Sequence, residues 1–92
     1  MNREQLLKRL NMRLADVLGK HLRRPPRGFQ CRFYAPIQEN RIDFVMDNPL
    51  SGWMWSWQCD VDRTIEATSS AATERQFVVD LVQRCISECP VW

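Results

Sequence analysis

Three sets of side chains in this sequence could do chemistry: a group of aspartates, four cysteines and a band of cations. Asp60 and Asp62 stand two residues apart on a segment that alternates like a strand, and Asp43 shares the polar face of a neighbouring segment. Such carboxylates could ligate a divalent metal ion and so serve a metal-dependent enzyme. A solvated acidic strand face contains the same residues. We expect that simpler arrangement, with the three carboxylates as a contact face for a cationic partner.

The four cysteines are predicted to face the interior. Four thiolates could bind zinc tetrahedrally, but the spacing C-x27-C-x25-C-x3-C lacks the short paired knuckle of zinc sites. Each cysteine stands among large apolar neighbours, where a free thiol packs like a small hydrophobe. We therefore expect Cys31, Cys59, Cys85 and Cys89 to pack in the core and to form neither a metal site nor disulfides.

The remaining residues assemble no catalytic triad and no phosphate-binding loop. His21 is the only histidine, and it lies among cations. The chain has three glycines, too few for a glycine-rich loop that would hold phosphates. The sequence therefore predicts a protein that is not an enzyme and that uses no cofactor and no small-molecule substrate.

The charges are unevenly distributed along the chain. Residues 1–32 hold nine Lys or Arg against two acidic residues, whereas residues 33–92 hold four Arg against nine. Such asymmetry indicates a charged partner, unless the two halves neutralise each other in the folded domain. Arginine can bind phosphates or the carboxylates of a protein. The predicted binding band consists of Arg9, Arg13, Lys20, Arg23, Arg24, Arg27 and Arg32.

The elements that position these residues follow from the hydrophobic periodicity. In chain order they are a helix ending before Pro25, strands at 29–35, 41–47 and 53–62, and a helix at 71–89. Ser70 is the expected cap of the last helix, and residues 63–70 either extend the third strand or turn away. The order α-β-β-β-α predicts one α+β domain over residues 1–92, a three-stranded antiparallel sheet with two helices packed on one face.

Three tryptophans occupy alternate positions of the third predicted strand. Trp53, Trp55 and Trp57 could form a docking platform for a ligand or the floor of the core. All three predicted strands divide into an apolar and a polar face, which is typical of an antiparallel sheet with one solvated side. We therefore expect the tryptophans to lie under the helices, with Trp53 reaching the rim.

The α-β-β-β-α order resembles the double-stranded RNA-binding domain over nearly the whole chain. In that family the second helix begins with lysines that grip phosphates, whereas this chain has AATER at 71–75. The family's loop between the first two strands enters the minor groove with a histidine, whereas this chain has PIQEN at 36–40. The resemblance therefore implies the order of elements and not the RNA-gripping residues.

In general character the chain, a tiny α/β domain that is dense in aromatics and divided in charge, is similar to small phage-encoded inhibitors of the anti-CRISPR type. That resemblance implies docking on a CRISPR surveillance complex, which blocks the binding or cleavage of target DNA. The net charge of +2 disfavours a simple DNA mimic. The basic helix would instead meet guide RNA or an acidic subunit, and the acidic face would meet lysines.

The expected partner is thus a multi-subunit host protein or ribonucleoprotein complex. The alternative is a stand-alone RNA- or DNA-binding module that uses the same cationic band. No apolar run approaches the roughly 18–20 residues that span a bilayer, so we expect no membrane partner and a cytoplasmic location.

Overall fold

The helices and strands follow the predicted order, with one addition. The computed structural model describes residues 1–21 and 26–89, apart from the side chain of His21. Its elements are α1 (Arg3–His21), β1 (Gln30–Tyr34), β2 (Arg41–Asn48), β3 (Trp53–Asp60), α2 (Val61–Ala67) and α3 (Ala71–Glu88). The strands form one antiparallel sheet in the order β1-β2-β3. The predicted α+β class is confirmed, and the short helix α2 is the addition.

The core lies between one face of the sheet and the helices α1 and α3. Leucines and a valine at helical spacing point inward from α1, and a similar stripe points inward from α3. The sheet contributes alternate residues, because successive side chains of a strand point to opposite faces. The fully or almost fully buried apolar side chains are Leu6, Leu10, Leu14, Val17, Phe33, Ile42, Phe44, Met46, Val61, Val78, Leu81, Val82 and Cys85.

The chain leaves the sheet two residues earlier than predicted. One carboxylate oxygen of Asp60 accepts hydrogen bonds from the backbone N–H groups of Asp62 and Arg63, at 2.8 and 3.2 Å. These bonds satisfy free donors at the start of α2 and end the strand. The prediction of a strand through Asp62 is therefore wrong at its last two residues. Residues 61–67 form a helix, which neither alternative for residues 63–70 included.

The three tryptophans of β3 lie on the side of the sheet that faces the helices, as expected. The rings of Trp55 and Phe44 meet edge to face with centroids 6.0 Å apart, and those of Trp57 and Phe77 do so at 5.5 Å. All three indoles are half-buried, since β3 is an edge strand of the described sheet. They therefore form the margin of the core, while Phe44 on the central strand lies at its middle.

Two polar side chains fix α1 against the first hairpin. The Arg3 guanidinium donates hydrogen bonds to three backbone carbonyls of the turn at 36–39. The Asn11 amide donates to the carbonyl of Phe33 at 3.0 Å and accepts from the N–H of Phe33 at 2.9 Å. These bonds place α1 along the outer edge of β1. None of the helices has, over the described residues, the length and apolar character required to cross a bilayer.

Candidate functional site

A cleft of about 470 Å³ opens between α1 and the first turn of α3. On the α3 side, Ser70 and Thr73 form a capping box: each side-chain oxygen accepts a hydrogen bond from the other residue's backbone N–H, at 3.1 and 3.0 Å. On the α1 side, the cleft is lined by Arg9 and Arg13, two members of the predicted cationic band. The cleft is therefore where the basic helix meets the acidic half of the chain.

Glu74 is the centre of this cleft. Its side chain is 7% exposed, and Arg13 Nε donates to its Oε1 at 3.1 Å. Arg9 Nε forms an ion pair with Oε2, although without the angle of a hydrogen bond. Arg9 Nη2 also donates to the carbonyl and the hydroxyl of Thr68, at 3.0 and 3.1 Å. Two cations of α1 thus have protein partners within the fold, and a buried carboxylate is compensated by both.

A third cation of the predicted band is also paired within the chain. Lys20 Nζ lies 3.3 Å from Asp16 Oδ1, and the other carboxylate oxygen of Asp16, Oδ2, lies 3.7 Å from Arg13 Nη1. The cations of the band that lie on α1 are therefore neutralised by acidic residues of the same chain. The sequence allowed such pairing but did not determine it. Arg23 and Arg24 lie outside the described residues.

The other two described cations of the band lie away from α1. Arg27 is exposed in the turn before β1. Arg32 is exposed on the open face of the sheet, with its guanidinium carbon 5.5 Å from the centroid of the Tyr34 ring. Over the described residues, the members of the band therefore lie on different elements. The band divides into a paired group on α1 and two exposed arginines at and before β1.

The predicted acidic contact face is not assembled as expected. The Asp43 carboxylate is 6% exposed and accepts a hydrogen bond from Arg41 Nε at 2.9 Å, which raises the pKa of Arg41. Its cross-strand neighbours on β1 and β3 are Tyr34 and Gln58. Asp60 caps α2, as described above, and Asp62 lies exposed in the first turn of that helix. Of the three carboxylates predicted to form this face, only those of Asp60 and Asp62 are therefore exposed.

The cysteines are distributed through the helix-facing side of the fold. Cys85 is fully buried, and its sulfur contacts that of Met46 on β2. Cys31, Cys59 and Cys89 are half-buried, and all four thiols are free. Burial raises the pKa of Cys31 and of Cys85 to about 12. Among the described residues, no three His, Cys, Asp or Glu side chains converge as a metal site would require.

We expect Cys31 and Cys85 to resist thiol reagents in the folded protein. With a pKa of about 12, each is almost wholly a thiol at pH 8, whereas the thiolate is the reactive form. Unfolded thiols ionise from about pH 9 while the folded ones keep their protons, so the free energy of unfolding should fall as the pH rises above 9. Alkylation followed by mass spectrometry, with and without denaturant, measures the reactivity. Equal native labelling of Cys85 and Cys89 would contradict the burial of Cys85.

Glu74 is the residue of this site that sequence reasoning missed. It lies in the stretch AATER at 71–75, where the double-stranded RNA-binding domain has lysines. Its spacing carries a clearer signal, because Glu74, Val78, Leu81 and Cys85 form one stripe at intervals of four, three and four residues. An acidic residue on the buried stripe of a helix requires a cationic partner. No family model, no curated protein and no solved structure matches this chain.

Proposed function

We propose that this chain is a non-enzymatic binding protein that docks on a multi-subunit protein or ribonucleoprotein complex, as an inhibitor of the anti-CRISPR type does. The observation that carries the proposal is the pairing of Arg9 and Arg13 with Glu74. Sequence-independent binding of nucleic acid depends on free cations that neutralise phosphates. Cations already held by a buried carboxylate contribute little to such binding, which favours a protein surface as the partner.

The exposed charges that remain are of both signs. Arg27 and Arg32 are exposed at and before β1, while Asp60 and Asp62 are exposed where β3 passes into α2. Arginine and tyrosine are enriched at the centres of protein interfaces, and Arg32 lies over the ring of Tyr34. A surface divided in this way suits a partner that presents both acidic and basic groups, such as a subunit next to guide RNA.

The alternative function is a stand-alone RNA- or DNA-binding module. The pair of Arg32 and Tyr34 favours it, because an exposed aromatic ring beside a guanidinium is a stacking platform for bases. In that case the binding would reside on the open face of the sheet and not on α1. The two functions differ in whether a protein or the nucleic acid itself holds the chain.

A pull-down from a bacterial lysate that contains an active CRISPR system tests the proposal. Tagged protein is used with and without nuclease treatment. We expect a stoichiometric set of protein subunits that survives the nuclease. Capture of nucleic acid alone, lost after nuclease, would overturn the proposal and support the alternative.

Charge reversal identifies the cations that bind the partner. The variant Arg23→Glu, Arg24→Glu, Arg27→Glu is expected to lose the captured subunits while its unfolding transition stays near that of the wild type. Arg27 is exposed, and substitutions at exposed positions cost little stability. The matched control Lys8→Glu, Arg75→Glu, Arg84→Glu makes the same change of charge at exposed positions of α1 and α3 and should retain them. Equal capture by both variants would exclude these arginines from the interface.

A further inference from the structure

The backbone of β3 has a free edge, and its hydrogen-bonding register identifies the groups on it. The N–H of Val61 donates to the carbonyl of Asn40 at 3.1 Å, and Arg41 lies opposite Asp60. In an antiparallel pair, directly opposed residues alternate between bonded and non-bonded pairs. The backbone N–H and carbonyl groups of the three tryptophans and of Cys59 therefore form hydrogen bonds with β2. The backbone groups that point away from the sheet are those of Met54, Ser56, Gln58 and Asp60.

The opposite edge of the sheet is covered at Phe33. By the same alternation, the N–H and carbonyl of Phe33 point outward from β1, and Asn11 of α1 binds both of them. A side-chain amide that donates and accepts in this way takes the place of a neighbouring strand. Native proteins commonly protect their sheet edges by such coverage. The fold therefore blocks strand addition at Phe33, which with Cys31 makes up the outward-facing positions of β1.

The edge of β3 has no such cover. Within the described part of the chain, no hydrogen bond reaches the outward N–H and carbonyl groups of Met54, Ser56 or Gln58. The carbonyl of Asp60 accepts from the Thr64 hydroxyl at 2.8 Å, so the free edge ends there. The side chains of Met54, Ser56 and Gln58 are exposed, Met54 to 65%. Three consecutive outward positions are thus open to a strand.

The flanks of this edge are apolar and acidic. On the helix side, the tryptophans of β3 are half-buried, and the ring of Phe77 on α3 meets that of Trp57. On the open side, Asp47 lies opposite Met54. Residues 53–67 contain three acidic residues and one basic residue. A segment placed here would meet apolar surface on the helix side and negative charge on the open side.

We propose that the outer edge of β3 binds an extended segment of a partner protein, which alternates apolar and basic side chains and adds a fourth strand to the sheet. Main-chain hydrogen bonds supply the affinity in this mode of recognition, and alternate side chains supply the specificity. A second copy of this chain fits less well, because self-pairing would bring two acidic flanks together. The inference rests on the proposed binding function and names the surface that performs it.

Amide hydrogen exchange with a defined peptide tests this edge. The probe is a short peptide that alternates valine and lysine, compared with one that alternates valine and glutamate and with an N-methylated valine–lysine peptide. We expect the Met54, Ser56 and Gln58 amides to exchange fast in the free protein. At ten times the Kd of the valine–lysine peptide, their exchange should slow about tenfold, and the two control peptides should have no such effect.

Other patterns of protection would overturn the proposal. Protection of the three amides in the free protein at every concentration would mean that the edge is already covered. Protection that rises with protein concentration would mean that the edge binds a second copy of this chain instead of a partner protein. An equal response to all three peptides, or a response confined to the cleft between α1 and α3, would place the binding elsewhere.

Ser56→Pro removes an outward N–H without breaking a bond to β2, and proline is tolerated on edge strands. We expect it to abolish binding of the valine–lysine peptide, while Ser56→Ala, which keeps the N–H, binds as the wild type does. If the proline variant is unfolded, the N-methylated peptide on the wild type provides the same test. A folded proline variant that still captures subunits from the lysate would overturn the proposal that the β3 edge binds the partner. It would leave the proposed binding function standing. Failure of the wild type to capture any subunit would instead overturn the function.

Discussion

The substitution Phe44→Ala is expected to lower the free energy of unfolding by about 3–5 kcal/mol. Phe44 is fully buried on the central strand, with its ring centroid 4.9 Å from that of Phe33 and 6.0 Å from that of Trp55. Strands flank it on both sides and helices cover it, so the cavity left by the ring has little scope to collapse. Since small domains are stable by only about 5–15 kcal/mol, this loss would remove a substantial part of the stability of the domain.

Trp55→Ala is the matched comparison for Phe44→Ala. The indole is larger, but it is half-buried at the margin of the sheet, so less apolar surface returns to water. We expect a smaller loss, about 2 kcal/mol. Urea unfolding followed by circular dichroism measures both variants without depending on tryptophan fluorescence. A larger loss for Trp55 than for Phe44 would place the centre of the core under β3 and contradict the packing described here.

The faces of the strands and of the long helices were predictable from the sequence. Alternation put Phe44 and Trp55 on one side of the sheet, and the four-residue spacing of Leu10 and Leu14 put both on the inner face of α1. Both patterns are local, because each can be seen within a single strand or helix and shows which of its residues are buried. The core of a small domain is the sum of such local patterns.

The helix α2 was not predictable from periodicity. It has seven residues, about two turns, which is too few to display a helical stripe. The signal that was present is the cap, since Asp60 is an acceptor that satisfies the first N–H groups of a helix. In a strand of alternating residues, however, the same aspartate also fits the polar face. Whether Asp60 continues the strand or caps a helix depends on the residues that follow it, since the helix buries Val61 and Thr64.

The contacts of the charged residues could not be predicted, because they join distant parts of the chain. Arg13 and Glu74 are separated by 61 residues, and nothing local to α1 indicates which acid it will meet. The burial of Asp43 on the open face likewise depends on the register that puts Tyr34 and Gln58 beside it. A count of charges shows that the two halves of the chain can neutralise each other. Which cations are paired is determined only by the packing of α1 on α3.

The double substitution Arg9→Met, Arg13→Met is expected to lower the free energy of unfolding by about 3 kcal/mol, since a buried charge that loses its partners is strongly destabilising. Methionine retains the apolar contacts of the arginine stems, so the loss arises mainly from Glu74. Its carboxylate, with a side chain 7% exposed, would lose both cations. Each single substitution leaves one partner and should cost much less. Urea denaturation of the two single variants and the double variant measures this difference.

Adding Glu74→Met to the double variant should recover most of the lost stability, because an apolar replacement of a buried ion pair is often neutral. No recovery would mean that the arginines stabilise the fold through Thr68 or through packing. The same triple variant also separates the structural role of these cations from a role in binding. If Arg9 and Arg13 act within the fold, it should capture the partner complex as the wild type does. Loss of capture by a stable triple variant would place both arginines in the interface.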